Sequence, residues 1–204
     1  DTRGPKYDRA LTEAPAAVYM PLADYTPIHR KGFDTAILQT AELFPDGIGC
    51  VCTPLINASF PGLQAPTAKL VDLMGYIYPP HFPFWFIDHW LDDVARMIGR
   101  YACVDIQCDH ATYVGHRQTI GLRDLKFWCD FFDSLAPERR RQANAIITEL
   151  DEPAWRKAML RSTFPMVEYR SRWVNDLVRA NAHHMEGNSE PPDERYLRAK
   201  AKAA

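Results

Sequence analysis

The chain has 204 residues, 47% of them hydrophobic, and its 24 Lys and Arg against 26 Asp and Glu leave a formal charge of −2. That length and apolar content suit one domain, or one with an appendage, and the near-neutral charge gives no electrostatic pull towards nucleic acid or an anionic membrane. The longest apolar runs are too short and too interrupted to span a bilayer, no basic-then-apolar leader opens the chain, and five loosely spaced cysteines (Cys50, Cys52, Cys103, Cys108, Cys129) read as reduced thiols of a cytoplasmic protein.

In chain order, residues 1–14 are polar, with a short helix expected from about Pro5 to Thr12. Ala16–Leu22 is an apolar run of strand length that ends at Ala23-Asp24-Tyr25. Asp24 therefore stands just past a strand end, where open α/β sheets place their ligands, although a turn aspartate would look the same. Lys31-Gly32-Phe33-Asp34 turns into a helix that Asp34 can cap, with Ala36, Ile37, Thr40, Ala41, Leu43 and Phe44 on its apolar side. Pro45-Asp46-Gly47 is a turn, and Ile48–Cys52 is a strand in which Cys50 and Cys52 share a face. A loop is expected over Asn57–Gln64, then a helix over Ala65–Leu73 with Leu70, Leu73 and Met74 inward.

The stretch Pro79–Arg100 carries the strongest pattern. Its first half is rich in proline and aromatics and reads as a stiff loop. In its second half Ile87, Trp90, Leu91, Val94, Met97 and Ile98 fall at helical spacing and Gly99 follows as a terminator. Asp88, His89, Asp92, Asp93 and Arg96 lie outside that stripe. Asp88 sits where the aromatic loop becomes a helix. A cap would explain it, yet a first-turn carboxylate is also held as the anion by the helix dipole and so can accept a proton.

After a short strand over Tyr101–Ile106 comes Cys108-Asp109-His110, another polar group beyond a strand. From Gly121 the chain changes character: an aromatic-faced helix over Asp124–Phe132, a second from Pro137 to about Leu150, a third from Pro153, and a last one carrying Val167, Trp173, Val174, Leu177 and Val178. Arg139-Arg140-Arg141 reads as a solvated helix face. The domain plan is thus an α/β unit over 1–120, a helical appendage over 121–184 and a disordered tail over 185–204. Asp24 and His110 together would suit a hard divalent cation, and such an ion could hold a diphosphate while the free Asp88 carboxylate activates a hydroxyl.

Strand, acidic turn, Lys31-Gly32-Phe33-Asp34, Pro45-Asp46-Gly47, strand, Met74-Gly75-Tyr76, Phe86-Ile87-Asp88, Trp90-Leu91, Gly99-Arg100 and His110 follow one another in an order that resembles the C-terminal half of GT-A-fold glycosyltransferases of the family 2-like type from bacteria and phages. The likeness covers about residues 5–135. It implies a mixed sheet flanked by helices, an incomplete GT-A-like domain whose nucleotide-gripping half would precede Asp1. It further implies Asp24 as the nucleotide-sugar and metal acid, Asp88 as the catalytic base of an inverting transfer, His110 as a second metal ligand, and manganese or magnesium as cofactor. The partners would be a nucleotide-sugar donor and an acceptor hydroxyl. Two positions depart from the pattern: Phe33 replaces a tryptophan, and Tyr25 stands where a second aspartate is expected. Two other readings compete. One is a non-catalytic interaction module, favoured by Tyr25 and the aromatics of Phe82–Phe86. The other is a metal-dependent hydrolase built on Asp88, Asp92, Asp93 and a histidine, although Asp92 and Asp93 are more simply exposed helix carboxylates.

Overall fold

A computed structural model of the chain describes residues 3–22, 28–54, 61–82, 85–106 and 125–162. Among these residues it is a mixed α/β structure with seven helices and one small sheet. In chain order they are α1 (Arg3–Glu13), α2 (Phe33–Ala41), β1 (Cys50–Pro54), β2 (Pro61–Pro66), α3 (Ala68–Met74), α4 (Ile87–Met97), β3 (Tyr101–Cys103), α5 (Leu125–Ser134), α6 (Ala136–Glu149) and α7 (Ala154–Ser162). The sheet order is β2-β1-β3. β1 and β2 are antiparallel, with Cys50 opposite Pro66 and Cys52 opposite Gln64, whereas β1 and β3 are parallel, with Cys50 opposite Tyr101 and Cys52 opposite Cys103. No helix among the described residues is long and apolar enough to cross a membrane.

The sheet separates two apolar clusters, as the two-residue period of its strands requires. Val51 and Ala65 face Ile37, Ala41 and Phe44 on the α2 side. Cys50 and Cys52 face the other way, into the larger cluster built on α4. All six residues of the α4 stripe are buried, and the same cluster takes in Leu70 and Met74 of α3, Trp128 and Phe132 of α5, Ala143, Ile146 and Ile147 of α6, and Leu160 of α7. Helices on both sides of the chain midpoint thus close a single apolar core around α4. The indole N–H of Trp90, buried inside it, donates to Gln142 Oε1 at 2.8 Å, so the ring is buried without an orphaned donor.

Several elements differ from the expectation, for physical reasons. Residues 16–22 form no strand; Val18 makes one antiparallel bridge to Thr67, and Tyr19 N–H donates to Pro66. The expected loop holding Pro61-Gly62 is instead β2, because proline is tolerated on the edge strand of a sheet. The following helix starts later, at Ala68, because the Thr67 hydroxyl caps it by accepting from Leu70 N–H, and Leu73 faces outward while Val71 takes the inward place. Gly32 rather than Asp34 caps α2, and β3 stops at Cys103.

Gly99 does terminate α4, in the left-handed conformation at φ 65°. A Cβ there would also lie 2.8 Å from Leu160 Cδ2. Gly99→Ala is expected to destabilise the fold by about 1–2 kcal/mol from backbone strain alone, read as a lower urea midpoint at unchanged slope.

The next residue anchors the corner. Arg100 is buried and donates to Asp46 (Nη2–Oδ2 2.8 Å) and Glu152 (Nη1–Oε1 2.7 Å). Asp46 also accepts from the backbone N–H of Ile48 and of Asp151, each at 3.1 Å, so one carboxylate joins the turn before β1, the α4–β3 corner and the α6–α7 connection. Burial works to raise the Asp46 carboxyl, but Arg100 and these two N–H donors outweigh it and hold the group below its ordinary value of 3.8. A carboxyl depressed on folding contributes stability that is fully present above its unfolded value and is lost as pH falls through the folded one. Denaturation midpoints measured from about pH 6 to about pH 2 should therefore drop below about pH 4, and less steeply in Asp46→Asn than in the parent. Equal slopes would show that Asp46 carries none of the acid sensitivity.

Candidate functional site

Of the three polar positions singled out from the sequence, Asp88 is described, while Asp24 and His110 lie outside the described residues, as does Tyr25. The position of α4 follows from two anchors. Its C-terminal corner is at the amino end of β1, where Cys50 N–H donates to the Arg100 carbonyl. Its first turn is level with the carboxyl half of β1, where Gln64, the partner of Cys52, donates from Nε2 to the Asp88 carbonyl at 2.9 Å. Asp88 therefore stands towards the carboxyl end of the parallel β1–β3 pair, the edge at which open α/β sheets present ligands.

Arg30, shortly after Asp24, donates from Nη1 to the Asp105 carbonyl at 2.6 Å, just past the end of β3. Ile28 and the buried Ile106 pack in the cluster on the α2 face of the sheet, opposite the face that meets α4.

Asp88 is not the helix cap. Phe86 holds that place in the left-handed conformation (φ 68°) with no side-chain capping bond. An aromatic residue rarely adopts this conformation. It is held there by burial and by stacking on Phe132, with ring centroids 5.2 Å apart. That entry places Asp88 in the first turn, where Oδ1 accepts from the His89 backbone N–H and meets His89 Nδ1, both at 2.9 Å. The Asp88 side chain keeps 33% of its surface open, against 11% for His89. Burial alone would raise the Asp88 carboxyl; the neighbouring His89 and its hydrogen bonds outweigh it and hold the group below the ordinary carboxylate value. The result is a partly open anion at a helix N-terminus, with a second carboxylate oxygen available to a ligand.

His89 and Gln64 were not marked by the sequence. His89 precedes Trp90 in an ordinary amphipathic pattern, and Gln64 falls in what reads as a loop, so neither spacing nor residue type signals that they position Asp88.

The other carboxylates of α4 are engaged elsewhere, which corrects their expected exposure. Asp92 pairs with Arg96 at 2.9 Å with its side chain only 14% exposed. Asp93 is buried and pairs with Arg139 at 3.0 Å. Arg139 is thus no solvated cation: it lies in the core, its guanidinium 3.6 Å over the Phe132 ring, and donates to the Phe132 carbonyl. The carboxylate set of the hydrolase reading is dispersed around the helix. Among the described residues no group of three or more His, Cys, Asp or Glu is placed to hold a metal ion. A surface groove of about 400 Å³ is lined by Asp46, Ile48, Lys69, Asp72, Leu73 and Glu149, away from Asp88.

No family model, curated protein or solved structure matches the chain.

Proposed function

We propose that the protein is a glycosyltransferase of GT-A-like architecture that moves a sugar from a nucleotide-sugar donor to an acceptor hydroxyl by inverting displacement. The observation that carries this reading is Asp88: a partly open carboxylate that His89 contacts at Oδ1, on a helix turn whose Asp88 main-chain carbonyl accepts from Gln64 towards the carboxyl end of the parallel strand pair. Its role is to accept the proton of the acceptor hydroxyl as that oxygen attacks the anomeric carbon, for which it must come within hydrogen-bonding reach of the hydroxyl. The helix dipole and His89 keep it deprotonated before the acceptor arrives. Asp24 and His110 would supply the oxygen and imidazole donors suited to manganese or magnesium, and such an ion would neutralise the charge of a diphosphate.

The test is donor cleavage. The full-length protein is incubated with a panel of nucleotide-sugars and manganese, and free nucleoside diphosphate is measured. Release from one donor, accelerated by an acceptor and lost in Asp88→Asn, supports transfer. Absence of release from every donor removes it in favour of the second reading, a non-catalytic interaction module. Trp155 and Met159, one turn apart and both exposed on α7, favour that alternative as apolar contact points.

A further inference from the structure

On the face of the sheet that meets α4, β1 and β3 carry a group of thiols that sugar transfer does not use. Cys50 and Cys52 are buried and free, their sulfurs 3.9 Å apart. Cys103, also free, is exposed and stands directly opposite Cys52 in the parallel register. Neighbouring strands run about 4.8 Å apart, and opposed residues of a parallel pair project their side chains to the same face. That separation lies within the range of about 4.4–6.8 Å between Cα atoms that a disulfide bridges. An exposed thiol beside a buried one, in register on adjacent strands, is the arrangement in which the first reacts with a solute and the second resolves the product.

We infer that Cys103 and Cys52 form a redox-reactive dithiol that closes to a β1–β3 disulfide on exposure to a low-molecular-weight disulfide such as oxidised glutathione. In the first step the Cys103 thiol loses its proton to water, and the thiolate attacks one sulfur of the oxidant. The mixed disulfide forms, and the other half of the oxidant leaves as a thiolate that takes up a proton. In the second step Cys52 loses its proton and attacks the Cys103 sulfur, so the Cys52–Cys103 bond forms, the mixed bond breaks and the second oxidant thiol departs. Two protein thiols are oxidised and one solute disulfide is reduced to two thiols.

Among the described residues, Cys52, Tyr101, Arg96 and Asp92 act on the Cys103 thiol. Burial first, and then Cys52 beside it, push the Cys103 thiol above its ordinary value of 9.0, against smaller lowering effects of Tyr101 and Arg96. Only a small fraction is thiolate at neutral pH, so closure should be slow there and accelerate as pH rises towards and past that value. Cys50 serves as the neighbour that does not reach the surface. The inference rests on strand register and exposure and is independent of the sugar-transfer reading.

The intact protein is incubated with oxidised glutathione at a series of pH values, quenched by acid, digested with trypsin and read by mass spectrometry. Cys50 and Cys52 share one tryptic peptide, and Cys103 and Cys108 share another. The expected product is a cross-link between these two peptides, equal in amount in Cys108→Ser and the parent, absent in Cys103→Ser and Cys52→Ala, reversed by dithiothreitol, and formed faster at higher pH. Glutathione retained on Cys103 without the cross-link, or a cross-link that survives Cys103→Ser, overturns it. Because Cys103 is at the surface, Cys103→Ser tests the inference without disturbing the core.

Discussion

Arg139→Leu is expected to lower the stability of the fold by about 3–5 kcal/mol. The change removes the cation and leaves the Asp93 carboxylate, 3% exposed, without its partner at 3.0 Å inside the core. A charge in that position must be neutralised or hydrated at the expense of the packing between α4 and α6. The same substitution strips the guanidinium from the face of Phe132, 3.6 Å away, and leaves the Phe132 carbonyl without that donor. Urea unfolding of the single and double variants measures the effect. Replacing both partners, as in Asp93→Leu with Arg139→Leu, should recover most of the loss, since a buried ion pair is often exchanged for apolar residues at little net cost. A double variant as unstable as the sum of the singles would show that the pair is additive and its members act through separate contacts.

Asp88→Asn should reduce sugar transfer by roughly 100- to 10,000-fold, the contribution typical of a positioned general base, while the melting temperature stays near that of the parent. The amide oxygen of asparagine can still accept the His89 backbone N–H that Asp88 accepts at 2.9 Å, so the helix start is preserved while the proton acceptor is lost. Because the Asp88 carboxyl is held below 3.8, the parent should lose no activity on its account as pH falls from neutrality towards about 5. Initial rates with saturating donor across that interval, for parent and variant, are the measurement. Unchanged transfer by Asp88→Asn would take this residue out of the mechanism, and a variant that unfolds would mark it as a helix-start anion alone.

Asp88 and Asp93 share one helix, and the residue pattern there does not tell their different surroundings apart. The stripe of Ile87, Trp90, Leu91, Val94, Met97 and Ile98 is legible because helical periodicity is local, and every one of its members is buried. Pro45-Asp46-Gly47 as a turn, Gly99 as a helix end and Pro137 at a helix start are legible for the same reason: each depends on the backbone preference of one or two residues. The fates of Asp93 and Arg139 are not local. A carboxylate and a guanidinium forty-six positions apart can each look like part of a solvated face, and only their meeting in the core compensates the burial of either. Edge strand β2 is a similar case, since Pro61-Gly62 reads as a loop until a partner strand gives the remaining groups their hydrogen bonds.

The amino-acid sequence alone therefore determined the helix that organises the core, the turns that bound it and the presence of a carboxylate in its first turn, because those follow from periodicity and backbone preference within a few residues. Tertiary structure decided that Asp88 stays partly exposed with its carboxyl held below the ordinary value while Asp92 and Asp93 are tied up in ion pairs, that Asp46 and Arg100 join three connections, and that Cys52 faces Cys103. Each of these depends on which distant group arrives to balance a charge or fill a register, and that arrival is a property of the packed chain.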